Sequence, residues 1–200
     1  MQTTIMVIHD KARTDRYNTL IQELKSQNIH PDDVLWMPSI KAAKPMAGIS
    51  QAHRSCVEKA KDLGLDTVTI FEDDILFTSE YSFRKYLDLM KVLPEDWDIF
   101  MAGAYSLIGK RRVDENFVTA NDVAGLHCYT VRARYYDTFL TAPDDYHIDR
   151  WLVPKGHAKL YVAHPFVAMQ HDGYSDQQRR NLTLSDMHKN FTLYTAKQYP

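Results

Sequence analysis

The run Val68-Thr-Ile-Phe71, followed at once by Glu72, Asp73 and Asp74, constrains this chain more than any other stretch. A short β-branched and aromatic segment after Gly64 reads as a buried strand of a parallel sheet, because strands covered on both faces lose their polar alternation. In open α/β sheets ligands sit beyond the carboxyl ends of the strands, so the three carboxylates are delivered to the place where chemistry happens. Adjacent acids repel one another, and partial burial raises their pKa values unless a cation compensates. In extended backbone Glu72 and Asp74 point to one side and Asp73 to the other. Hard oxygen ligands in this number suit Mg²⁺ or Mn²⁺, which take one or two carboxylates and complete their shell with substrate phosphates. A solvated, inert acidic turn is the other reading of the triplet by itself.

Strand and helix patterns alternate along the rest of the chain. Thr4 to Ile8 reads as a strand, and after the polar Asp10 to Arg13 turn Tyr17, Leu20, Ile21 and Leu24 recur at helical spacing. Val34 to Met37 reads as a second strand, with a loop carrying Lys41, Lys44 and Pro45 behind it. The apolar set Ile49, Ala52, Cys56, Val57, Ala60 and Leu63 marks an amphipathic helix closed by Gly64. Beyond the acids, Phe83, Tyr86, Leu87 and Met90 form a helical stripe that Pro94 stops. Asp98 to Ala102, Leu126 to Val131, Leu160 to Ala163 and Phe166 to Met169 read as strands, with Tyr135 to Leu140 in a helix and Asp144 to Leu152 in a short one. Lys110-Arg-Arg112 reads as part of a polar loop shared with Asp114 and Glu115. Such alternation implies a mostly parallel central sheet with helices on both faces.

Two hundred residues suffice for one α/β domain of this kind and not for two. A net charge of -2 gives no global field that would draw nucleic acid or an acidic membrane. No transmembrane segment is expected, because no run approaches the roughly 20 apolar residues of a bilayer span. With no charged-then-apolar leader either, the expected location is the cytoplasm. Cys56 and Cys128 read as core thiols, since two scattered cysteines make neither a disulfide framework nor a zinc site.

Several short stretches, taken in order, resemble glycosyltransferase family 25, the lipopolysaccharide-core and collagen-galactosyl transferases. Gly48-Ile-Ser-Gln-Ala-His53, a helix and then Ile70-Phe-Glu-Asp-Asp74 resemble that family's G-C-x-x-S-H, helix and hydrophobic-E-D-D. Val7-Ile-His-Asp10 with Arg13 and Arg16 looks like its first strand and V-I-N-L-x-x-x-x-x-R turn, and Trp97-Asp-Ile99 to Gly103 looks like its W-D-x-x-x-x-G. Gly125 to Tyr129, the Asp149 of His147-Ile-Asp-Arg-Trp-Leu152, and Pro165 through Gln170 to Ser175-Asp176 continue the likeness across nearly the whole chain. Ile49 and Ala52 stand where the family has Cys and Ser, and His9 where it has Asn. These departures bear on donor and acceptor identity more than on fold.

The resemblance implies a single GT-A-like α/β domain, that of nucleotide-diphospho-sugar transferases, over residues 1–175, with 176–200 a tail packing on or near the active site. It implies an inverting hexosyl- or pentosyltransferase with a nucleotide-sugar donor, foremost a UDP-sugar, and a saccharide or glycolipid-core acceptor of the kind used in lipopolysaccharide biosynthesis. Arg16, His53, Glu72 and Asp73 would lie at the donor, and Asp74, Glu72 and His171 would hold Mn²⁺ or Mg²⁺. Asp149 would be the base that takes the acceptor proton. Plainer readings stand beside these: His53 as a core histidine, His171 as a surface residue of a Gln-His-Asp-Gly turn, Asp149 as an ordinary helix acid. A basic face gathered from Lys110 to Arg112, Arg132, Arg134, Arg179 and Arg180 would admit a polyanion, such as a hydroxylated base in DNA. Two other classes also use such acids, a metal-dependent phosphohydrolase or nucleotidyltransferase and a non-catalytic sugar-nucleotide-binding module.

Overall fold

A computed structural model describes residues 3–175 and 180–182. Its strands are β1 (Thr4–His9), β2 (Val34–Pro38), β3 (Thr67–Glu72), β4 (Ile75–Phe77), β5 (Ile99–Met101), β6 (Ser106–Ile108), β7 (Arg111–Arg112), β8 (Phe117–Thr119), β9 (Asp122–Ala124), β10 (Cys128–Arg132), β11 (Leu160–Ala163), β12 (Ala168–Gln170), β13 (Gly173–Ser175) and β14 (Arg180–Leu182). The α-helices are α1 (Thr14–Ser26), α2 (Pro45–Asp62), α3 (Ser82–Met90), α4 (Tyr136–Leu140) and α5 (Ile148–Leu152).

Eight strands form the central sheet in the order β2-β1-β3-β10-β5-β11-β8-β7. β10 and β8 run against the other six, so the sheet is mixed but most of its strands point one way. Alternation along β3 sends Val68 and Ile70 into one apolar layer and Phe71 into the other. The first layer packs under α2, α4 and α5 through Cys56, Val57, Phe139 and Leu152, and the second under α1 and α3 through Leu20, Leu24, Phe83 and Tyr86. The expected helices on both faces are therefore present.

β3 carries Thr69 between Val68 and Ile70, and this polar residue is fully buried. Its hydroxyl lies 2.8 Å from that of Thr130, its cross-strand partner on β10, and Thr130 in turn meets the Tyr86 hydroxyl at 2.8 Å. Tyr86 donates to the Phe100 carbonyl at 2.7 Å and stacks on the Phe100 ring at 4.6 Å between centroids. The buried hydroxyls are thus satisfied by one another, which removes the cost of hiding them. Cys56 and Cys128 are buried free thiols, as expected.

Several boundaries differ from the sequence reading. α2 starts at Pro45 instead of Ile49, because proline at the first helical position has no N–H to leave unsatisfied. The short helix expected from Asp144 begins only at Ile148. Lys110 to Glu115, read as a loop, contains the edge strand β7. The tail proposed for residues 176–200 lies outside the described residues, except that Arg180–Leu182 pair with Gly173–Ser175.

Gly48 in α2 lies against the chain at Ile40 to Ala42, where a methyl group would collide with the Ile40 carbonyl oxygen. Backbone cannot yield as a side-chain tip can, so Gly48→Ala is expected to cost about 1–3 kcal/mol by overpacking. Thermal unfolding measures this, and an unchanged melting temperature would show that the loop is free to move away.

Candidate active site

Strand parity decides where the acids go. Glu72 ends β3 on the same side as Ile70, toward α2, and there His53 meets it with Nε2 3.0 Å from Oε1. His53 is almost wholly buried, and its Nδ1 lies 2.8 Å from the Tyr129 hydroxyl. Asp73 points the other way, toward the end of β1 and the start of α1. One of its oxygens takes His9 Nδ1 at 3.0 Å and the Asp10 N–H at 3.3 Å, and the other accepts from Arg16 Nη1 at 2.7 Å. Asp74 lies in the turn between β3 and β4, where extended alternation no longer applies, and it is shared between the two sides. Arg16 Nη1 lies 3.1 Å from Asp74 Oδ2. Gln170 on β12 donates from Nε2 to Glu72 at 3.2 Å and, more weakly, to Asp74 at 3.4 Å.

The electrostatics separate the acids. Burial alone would raise the Glu72 carboxyl, but the hydrogen bond and charge of His53, with His127 and Arg16 behind them, hold it below the usual value. Burial, and after it the charge of Glu72, push the Asp74 carboxyl up to about 7 against the pull of Arg16 and Gln170. Desolvation works against the Arg16 guanidinium, yet Asp74 and Asp73 keep its pKa above the ordinary value. One guanidinium is thus shared between Asp73 and Asp74, and a further cation would offset the charge that Glu72 and Asp74 bring together when ionised. Among the described residues no group of three or more His, Cys, Asp or Glu side chains converges as a metal cage. Glu72 and Asp74 are the two carboxylates that fit a Mg²⁺- or Mn²⁺-type ion, whose remaining ligands come from water and phosphate.

The acids open into a cleft of about 1080 Å³. Asp149 stands on another part of its wall, at the start of α5. The Gly125 N–H donates to Asp149 Oδ2 at 2.9 Å and the Arg150 N–H to Oδ1 at 2.8 Å. Gly125 has φ +94, which glycine adopts without strain, and the turn it makes lets β10 begin beside the cleft. A carboxylate has about four acceptor positions, so two remain for a hydroxyl after these bonds.

Arg16, His53, Glu72, Asp73, Asp74, Asp149 and His171 all line this one cleft. His171 binds the Asp74 carbonyl through its backbone N–H at 2.8 Å, while its imidazole faces Glu23 with Nε2 3.9 Å from Oε1. The sequence reading passed over Gln170, Tyr129 and His9 as site residues. All three lie inside stretches that carry the resemblance, but nothing local marks Tyr129 as the support of His53, which is 76 residues away in sequence. Among the described residues, Arg132 and Arg134 do not gather at the cleft as a basic face would need. Arg132 lies over the Trp97 ring and donates to the Glu95 carbonyl, and Arg134 pairs with Asp98 at 2.7 Å. The reason is the reversed direction of β10, which carries Arg132 opposite Thr67 at the amino edge of β3, away from the cleft. Arg179 lies outside the described residues, and a DNA acceptor has no support from this surface.

No family model matches the sequence, and no curated protein matches it significantly. Solved structures do match by shape. A197 from STIV aligns with TM-score 0.54 at 10% identity over 91% of this chain and 93% of its own. A Drosophila β1,4-galactosyltransferase 7 mutant in complex with manganese, UDP-Gal and xylobiose aligns with TM-score 0.53 at 11% identity, covering 94% of this chain and 80% of that one. A glycosyltransferase involved in glycosylation of the major capsid of PBCV-1 aligns with TM-score 0.53 at 8% identity over 96% and 100%. The fold is GT-A-like. In this sheet β10 runs antiparallel between β3 and β5, while the carboxylates gather at the carboxyl edge of the parallel strands. Among the described residues no helix is long and apolar enough to cross a membrane.

Proposed function

We propose that this chain is a glycosyltransferase that moves a sugar from a nucleotide-diphospho-sugar, foremost a UDP-sugar, to a saccharide hydroxyl with inversion. The observation that carries the reading is the shared cleft, with the acid triplet and Arg16 on one part of its wall and Asp149 on another. The GT-A-like fold, the resemblance to family 25 and the UDP-Gal and manganese in the Drosophila complex support it. Family 25 resemblance also favours a glycolipid-core acceptor, as in lipopolysaccharide biosynthesis.

Glu72 and Asp74 would hold Mn²⁺ or Mg²⁺, which when bound neutralises charge on the departing diphosphate. The protein's own groups do the rest. His53, backed by Tyr129, keeps Glu72 ionised and oriented, and Gln170 ties Glu72 to Asp74. Arg16, held by Asp73, supplies positive charge to the donor side of the cleft. Asp149, oriented by two backbone N–H groups, receives the acceptor proton as the hydroxyl attacks the anomeric carbon.

A thermal-shift panel of UDP-, GDP-, CMP- and TDP-sugars with and without Mn²⁺ tests the reading, since a ligand of the native state raises apparent stability. The expected result is a cation-dependent rise with UDP-sugars and slow hydrolysis of the same donor. No shift with any nucleotide would overturn the proposal, and a shift without hydrolysis would make the chain a binding module.

A further inference from the structure

We propose that Arg16 is a built-in counter-cation that competes with a divalent ion for Asp74, so that its guanidinium sets how tightly the cleft holds metal. The inference rests on the proposed cation site but concerns this chain's own residue. A single nitrogen, Nη1 of Arg16, sits 2.7 Å from Asp73 Oδ1 and 3.1 Å from Asp74 Oδ2. The two bonds are not equivalent. Asp73 is anchored through its second oxygen by His9 and by the Asp10 N–H, so it is a fixed post for the guanidinium. Asp74 is held on its second oxygen by the 3.4 Å contact to Gln170, the longest of the set. Arg16 can therefore release Asp74 and remain paired with Asp73, with an incoming cation taking over the charge of Asp74. Until then the guanidinium occupies one edge of the carboxylate that a metal would use, and its charge repels any second cation a few ångströms away.

The consequence has an unusual sign. Removing a positive charge from a site proposed to bind an anionic donor should tighten binding of the metal. The experiment titrates Mn²⁺ into the full chain after chelator removal, following free Mn²⁺ by electron paramagnetic resonance. Arg16→Gln is expected to bind Mn²⁺ at least tenfold more tightly than the native chain, and Arg16→Lys, which keeps the charge, to stay within about threefold of it. Asp74→Asn in the Arg16→Gln background should abolish the gain. Equal or weaker Mn²⁺ binding by Arg16→Gln, including no binding by either protein, would overturn the proposal. If Arg16→Gln unfolds in chelator, refolding on addition of Mn²⁺ supports it and failure to refold overturns it. UDP-sugar binding is read separately. Its absence would remove the glycosyltransferase reading while leaving the Mn²⁺ comparison to decide the role of Arg16.

Discussion

Asp74→Asn is expected to lower nucleotide-sugar turnover by about a thousandfold, the scale of losing one electrostatic contact to a developing charge, while the chain keeps its fold. The variant preserves shape but removes the charge that would draw a cation to the end of β3. It should also change the pH dependence of stability, and the sign distinguishes it from a general loss of packing. The Asp74 carboxyl titrates near 7 in the folded chain against 3.8 for an ordinary aspartate, so the native state holds its proton more tightly than the unfolded one. Such a group favours folding at low pH, and that contribution is lost as pH rises from about 4 toward 7. Glu72, held below 4.5, contributes the opposite slope and only under acid conditions. In chelator the native chain should therefore lose melting temperature between pH 4 and 7, and Asp74→Asn should flatten that fall. Full turnover by the variant in chelator would remove the cation from the reading.

Asp149→Asn is expected to lower transfer to the acceptor about a thousandfold, within the range of a lost general base, with donor binding unchanged. The amide oxygen can still accept from the Gly125 N–H, although the bond from the Arg150 N–H is lost, and melting temperature checks that the wall of the cleft holds its shape. What is lost is the basic lone pair. Parallel measurements of donor affinity and of transfer separate the two roles. If donor binding collapses together with transfer, Asp149 belongs to the donor site and another group must take the proton.

Much of the site was legible because strand parity is a strong rule. The alternation that buries Ile70 on one side and Phe71 on the other also sends Glu72 toward α2 and Asp73 toward α1, so His53 and Arg16 are met on opposite sides of the sheet. Parity stopped working at Asp74, where the chain turns into β4. The strand direction of β10 was not legible at all. Cys128 to Arg132 carries no local mark of orientation, and it follows a long excursion through β6 to β9 from which its direction cannot be read. That one reversal explains why Arg132 and Arg134 sit at the amino edge with Trp97 and Asp98. The start of α2 was hidden because Pro45 reads equally well as a loop residue and as a first helical residue.

The insertion of β10 also bears on the order in which the molecule can be built. β1, β2 and β3 come from the first 72 residues and pair with one another without it. Until residues 128–132 arrive, β3 presents Val68, Ile70 and Phe71 on an unpaired backbone edge, the arrangement that templates association between chains. A nascent or shortened chain ending before Cys128 therefore carries this buried strand open on one side, with no lysine or proline within Thr67–Glu72 to blunt it. The same strand that aims the acids into the cleft is the one that most needs a neighbour, and that neighbour is supplied more than fifty residues later.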